Sequence, residues 1–238
     1  LPAKEKKSVL VLGGGPGGMQ AAITAAERGF YVELWEKEAK LGGALLQAGA
    51  PSFKADVLRY VEYLKNKLRS SNVTVRLLKE ATVDEIVKAN FDKVIVATGS
   101  KPVIPPIQGI HRENVKLADD VLLGKAKLGN KVVVIGGGLV GCETALHIKA
   151  TADHVAIIEM LDDILKTADH CLNNDQKLRA MIAESGIEIH TKATVKVIGD
   201  SYVEYEVDGK TERIDCDMVV VATGFKPNNE LAEALEGK

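Results

Sequence analysis

The chain has 238 residues, with 31 Lys and Arg against 33 Asp and Glu and a formal net charge of −2. So even a balance supplies no whole-protein field to draw in nucleic acid or an anionic membrane, and no apolar stretch reaches the roughly 18 residues that a membrane span requires. Hydrophobic residues make up 46% of the sequence, enough to bury an ordinary globular core.

The chain opens on Leu1 with one short charge run, Lys4-Glu5-Lys6-Lys7, and no signal-type apolar segment, which points to a cytoplasmic location. Val9 to Leu12 then form a continuous apolar run, as a central parallel strand buried on both faces needs. Gly13, Gly15 and Gly18 follow with G-x-G-x-x-G spacing, and Pro16 and Gly17 open an alanine-rich helix that Gly29 ends. This spacing has a mechanism. The first glycine lets the chain turn, the second lets backbone approach a pyrophosphate, and the third lets the helix pack close to the strand. The helix N–H groups then face the anion, and a first-turn proline gives up an N–H that has no helical partner. The next strand ends in Glu36, 23 residues after Gly13, where a carboxylate accepts from a ribose hydroxyl.

Residues 54–69 read as an amphipathic surface helix, with Val57, Val61, Leu64 and Leu68 on one face. Residues 73–78 read as a strand, and Thr82 and Glu85 stand at capping-box spacing at the start of a helix. Residues 93–99 read as a buried strand ending in the small-residue turn Ala97-Thr98-Gly99. The stretch 100–110 holds three of the seven prolines and forms a stiff connection.

The second half then restates the first. Gly136, Gly138, Gly141 and Glu159 match Gly13, Gly15, Gly18 and Glu36, each offset by 123 positions, with Leu139 and Val140 opening the second helix. The turn Ala222-Thr223-Gly224 matches Ala97-Thr98-Gly99 at an offset of 125. One glycine motif is weak evidence; strand, glycines, helix, strand and acid repeated in register identify two dinucleotide sites. Residues 194–214 read as a β-meander with Asp208-Gly209 at one turn, and Tyr202 and Tyr205 read as its packing residues. The expected fold is therefore α/β, with two Rossmann-like nucleotide-binding domains, each a parallel sheet plus a β-meander. The first spans 1–106 and is completed by 225–238; the second spans 107–224. A carboxylate at Glu159 repels a 2′-phosphate and favours NADH over NADPH, whereas Glu36 is compatible with NAD or with the adenosine ribose of FAD.

Cys142, Cys171 and Cys216 contain no C-x-x-C, which argues against a redox disulfide and a cysteine-rich metal site. The dispersed histidines, His111, His147, His154, His170 and His190, include no close helical pair suited to a metal.

Residues 9–37, Leu41-Gly42-Gly43, the two Ala-Thr-Gly turns, the segment 136–145 and Glu159 resemble the two-dinucleotide-binding-domain flavoproteins. That resemblance implies an FAD site at Gly13, Gly15, Pro16, Gly17, Gly18, Glu36, Lys37, Gly43, Ala97, Thr98 and Gly99, with the backbone of Ala81 against the adenine. It implies an NADH site at Gly136, Gly138, Leu139, Val140, Gly141 and Glu159, with Gly224 at the junction. Glu143 matches the family's usual acid, and equally reads as a first-turn carboxylate on the helix dipole. More closely, residues 41–68, 100–110 and 136–148 resemble the C-terminal region of the NADH:flavin oxidoreductases related to old yellow enzyme. In that group an FMN barrel and a cysteine-ligated [4Fe-4S] cluster precede the module, and a helix beyond the point where this chain ends completes the FAD domain. The resemblance implies an electron-input module that passes hydride from NADH to FAD and electrons onward. A stand-alone NADH oxidoreductase with a diffusible acceptor and a non-catalytic nucleotide holder are the alternatives.

Overall fold

The computed structural model describes residues 3–166 and 172–237, which form two compact units. The first comprises residues 1–49, 54–101 and 227–238; the second comprises 50–53 and 102–226. His170 and Cys171 lie outside the described residues.

In the first unit, β1 (Ser8–Leu12), α1 (Pro16–Glu27), β2 (Tyr31–Trp35), α2 (Leu45–Ala48), α3 (Ala55–Arg69), β3 (Val73–Arg76), α4 (Val83–Ala89) and β4 (Lys93–Val96) follow in order. The sheet is parallel, with strand order β3-β2-β1-β4. Alternation along β1 explains its unbroken apolar run: Val9 and Val11 face a core shared with Met19, Ile23, Leu64 and Leu68 of α1 and α3. Leu10 and Leu12 face a second cluster with Trp35 and Ile86. Both faces are dry, so polar alternation has no place in this strand. The capping box forms as expected, with Thr82 Oγ1 accepting from the Glu85 amide and the Glu85 side chain returning to Thr82.

The chain passes through β5 (Ser100–Pro102) into the second unit. There β6 (Val115–Leu117), α5 (Ala118–Leu122), β7 (Lys131–Ile135), α6 (Leu139–Lys149), β8 (His154–Ile158), α7 (Leu172–Ser185), β9 (Glu188–His190), β10 (Ala193–Ile198), β11 (Tyr202–Val207), β12 (Lys210–Asp215) and β13 (Met218–Val221) follow. Five parallel strands stand in the order β6-β13-β7-β8-β9, and β10, β11 and β12 form an antiparallel meander. Val132 and Val134 face the helices, while Val133 and Ile135 face the meander. Asp208 and Gly209 both take positive φ between β11 and β12, the geometry of a two-residue hairpin turn. The chain leaves through β14 (Phe225–Pro227), and α8 (Glu230–Leu235) packs against the first unit's second cluster.

The repeat extends to the register of the sheets. Ser8 pairs with Tyr31 and Lys131 with His154, both pairs displaced by the same 123 positions as the glycines. Two expectations need correction. Among the described residues the β-meander occurs in the second unit only; in the first, α4 and α8 cover the corresponding face, because residues 82–89 carry a helix cap and helical periodicity instead of strand alternation. And β4 is not buried: it pairs with β1 on one side only, leaving Val94 and Ile95 each 37% exposed. Its counterpart β13 lies between β6 and β7 and is buried throughout.

Candidate functional site

Each unit places a glycine loop between its first strand and first helix. Gly13 takes φ +105°, and a Cβ there would lie 2.3 Å from the Ala97 carbonyl oxygen. Gly136 takes φ +107°, with the Ala222 carbonyl oxygen 2.5 Å from the same hypothetical Cβ. No side chain fits either place. A Cβ on Gly18 or Gly141 would meet the carbonyl oxygen of Gly13 or Gly136 at 1.8 and 1.9 Å, so the third glycine of each motif packs helix against strand. The middle glycines, Gly15 and Gly138, are the N-caps of α1 and α6, and neither helix has a side-chain cap. The first-turn amides of Gly17 and Gly18, and of Leu139, Val140 and Gly141, therefore have no intrahelical acceptor.

Among the described residues, Glu36 and Glu159 are the buried acids of the two units, 7% and 8% exposed. Glu36 Oε2 accepts from the Gly14 amide at 2.6 Å and Oε1 from the Glu38 amide at 2.7 Å. Glu159 Oε2 accepts from the Gly137 amide at 2.6 Å and Oε1 from the Leu161 amide at 2.8 Å. Each carboxylate thus ties the glycine loop to the turn after the second strand. Sequence reasoning missed Gly14 and Gly137. The signal was the middle glycine of each Gly-Gly-Gly run: a Cβ would meet Leu41 at 2.4 Å at one position and Ile164 at 2.9 Å at the other.

Gly43 joins the first loop, since a Cβ on it would meet Gly15 Cα at 2.8 Å and the neighbouring Gly42 amide donates to the Gly14 carbonyl at 2.9 Å. Lys79 donates its amide to the Glu36 carbonyl at 2.8 Å, which brings the segment leading to Ala81 beside the acid. Lys37 is exposed. Thr98 donates its hydroxyl to the Asn228 carbonyl at 2.8 Å, and the Asn228 amide returns to Gly99 at 2.9 Å. Thr223 and Gly224 make the same pair of bonds with Val103 in the second unit. Val140 and Gly224 meet at a small cavity that Asp119 and Thr223 also line. Glu143 is the fifth residue of α6, just past the first turn suggested by its sequence spacing.

Charged side chains in the segments after Glu159 pair with one another. Arg179 bonds to Asp163 and Asp175, and Lys166 pairs with Asp162. Arg179 holds its proton more tightly than usual because of the Asp163 hydrogen bond, and Asp162 is held below its ordinary range by Lys166. Cys142 and Cys216 are inert packing groups: burial pushes their thiols up to about 12 and about 11, leaving no thiolate near neutral pH. Among the described residues no helix is long and apolar enough to cross a membrane.

Known proteins match this pattern along its full length. The chain is 41% identical to an NADH oxidase of Thermoanaerobacter brockii over 242 aligned positions, covering 99% of the chain and 37% of the relative. It is 39% identical to a bilirubin reductase of Mediterraneibacter gnavus, covering 100% of the chain and 37% of that protein. The solved structure of a 2-naphthoyl-CoA reductase in complex with 2-naphthoyl-CoA superposes with a TM-score of 0.93 at 34% identity, covering 100% of the chain and 36% of that protein. The chain thus spans little more than a third of the length of each. The family model described as pyridine nucleotide-disulphide oxidoreductase matches residues 7–238, and the chain belongs to that family.

Proposed function

We infer that the first unit holds FAD and the second holds NADH, and that the chain is the pyridine-nucleotide-oxidising part of a longer oxidoreductase that carries an FMN and [4Fe-4S] module. The observation that carries this reading is the duplicated loop: two uncapped helix N-termini, each behind a glycine that no side chain can replace, each with a buried acid 23 residues from the first glycine. When bound, FAD supplies a two-electron acceptor for hydride and a one-electron donor to the next centre.

The chain's own residues do the binding and positioning. Amides of Gly17 and Gly18 would hold one pyrophosphate, and those of Leu139, Val140 and Gly141 the other, with the helix dipole adding favourable charge. Gly15 and Gly43 leave backbone open to the first dinucleotide, and Thr98 and Gly99 fix a turn beside Gly13. A carboxylate offers about four acceptor positions, so Glu36 and Glu159 can hold their loops and still accept from a ribose hydroxyl. Of the carboxylates that follow the second strand, Asp162 and Asp163 are paired with Lys166 and Arg179, and Glu159 is the one bonded to the glycine loop. A carboxylate at Glu159 would repel a 2′-phosphate, which supports NADH over NADPH.

A second reading, a nucleotide holder that moves no hydride, also rests on an observation. Glu36 and Glu159 bind their own backbone, so their presence is accounted for by loop folding alone. Calorimetric titration with FAD, NADH and NADPH tests the assignment of sites. FAD and NADH are expected to bind at separate, non-competing sites, with NADPH at least about tenfold weaker than NADH. Mutual competition between FAD and NADH for one site would contradict it.

A further inference from the structure

The first unit has a cleft of about 450 Å³ that the glycine loop does not use. It opens beside β3, the outermost strand, which pairs with β2 on one side only. Val73, Val75 and Leu77 line it from alternate positions, and Leu41 and Leu68 complete an apolar floor. Val73, Val75 and Leu41 are the half-buried fringe of the unit's core, so the floor is a margin of that core left uncovered. Three cations also line the cleft: Lys65 and Arg69, one turn apart on α3, and Lys40 from the loop after β2.

No carboxylate lines the cleft. Lys65 pairs with Glu62 at 2.8 Å and Arg69 donates to the neutral Asn66 at 3.0 Å, so one acid stands against three cations. The lining includes none of Gly13 to Gly18, Glu36, Ala81 or the 97–99 turn. An apolar floor gains about 25 cal/mol for each Å² removed from water, and a cationic rim selects the sign of the group left at the mouth. The volume falls within the roughly 300–1,000 Å³ of small-molecule sites.

We propose that this cleft binds a single-tailed amphipathic anion, a medium-chain aliphatic carboxylate, with its tail on Val73, Val75 and Leu77 and its head between Lys40 and Arg69. A neutral or cationic amphiphile with the same tail matches the floor and not the rim.

Calorimetric titration of the chain with decanoate, decanol and decyltrimethylammonium separates these terms. Decanoate is expected to bind at one site, at least about tenfold tighter than either of the others. The surface pair Lys40→Glu and Arg69→Glu should weaken decanoate by about tenfold or more while leaving thermal unfolding and FAD binding unchanged. Leu77→Asp, at a half-exposed position of the floor, should weaken all three ligands. Equal binding of the three, decanoate binding indifferent to the charge reversal, or binding only to phosphatidylglycerol vesicles with none to the monomeric acid would each overturn the proposal.

Discussion

The Gly14 amide donates to Glu36 Oε2 at 2.6 Å across 22 residues of sequence, and Gly137 donates to Glu159 at the same distance across the same separation. A strand-end acid in this fold thus closes its own glycine loop. Glu36→Gln keeps one carbonyl acceptor and sets an NH₂ against one of the two amides. It should cost about 1–3 kcal/mol of stability, as expected when a charged acceptor is lost in a buried place. Denaturant unfolding of the variant checks this, and an unchanged midpoint would mean that the bond contributes nothing net.

Adjacent glycines should behave oppositely. Gly18→Ala places a methyl 1.8 Å from the Gly13 carbonyl oxygen, whereas nothing lies within 4 Å of a Cβ on Gly17. Gly18→Ala should therefore destabilise the first unit by more than about 3 kcal/mol. Gly17→Ala should be neutral or stabilising by up to about 1 kcal/mol, because alanine favours the helix. Circular dichroism melts of the two variants test both outcomes side by side.

Thr82→Ala removes the cap of α4 and should lower stability by about 1 kcal/mol. The rank order of melting temperatures for wild type, Thr82→Ser and Thr82→Ala measures it, with serine close to wild type.

Acid should weaken the first unit through two carboxylates. Glu85 is held below its ordinary range by Lys79 and Thr82, and Asp92 by the amide and hydroxyl of Ser8. A lowered folded-state pKa means stability that is fully present above the unfolded values of 4.5 and 3.8 and is lost as pH falls through the folded ones. Stability should therefore begin to fall below about pH 4.5. In Asp92→Asn that decline should be shallower, and unfolding midpoints from pH 6 to pH 3 would show it.

Glu159→Gln should weaken NADH by about tenfold and narrow its margin over NADPH, since the variant removes the charge that repels a 2′-phosphate. Parallel titrations with the two nucleotides give the ratio. A fall in NADH affinity with the ratio unchanged would assign Glu159 to loop closure alone.

Much of this was legible in the sequence because the repeat states each constraint twice. Gly13 and Gly136 face a carbonyl where no side chain fits, and so the glycines survive in both copies. The exposure of β4 was not legible: Lys-Val-Ile-Val reads like Met-Val-Val-Val of β13, and only the number of neighbouring strands separates them. Nor was the turn pair Leu78 and Lys192, both with φ +53° and both donating to the loop after the acid, at Glu38 and Leu161. Their sequences share nothing, because the backbone alone makes those bonds.

Anaerobic titration of the FAD-loaded chain with NADH, followed by the visible flavin absorption, tests hydride transfer between the two units. Bleaching of the flavin band by NADH is expected, with a much slower response to NADPH. A flavin band that stays unchanged while NADH binds would contradict hydride transfer and leave the nucleotide-holder reading in its place.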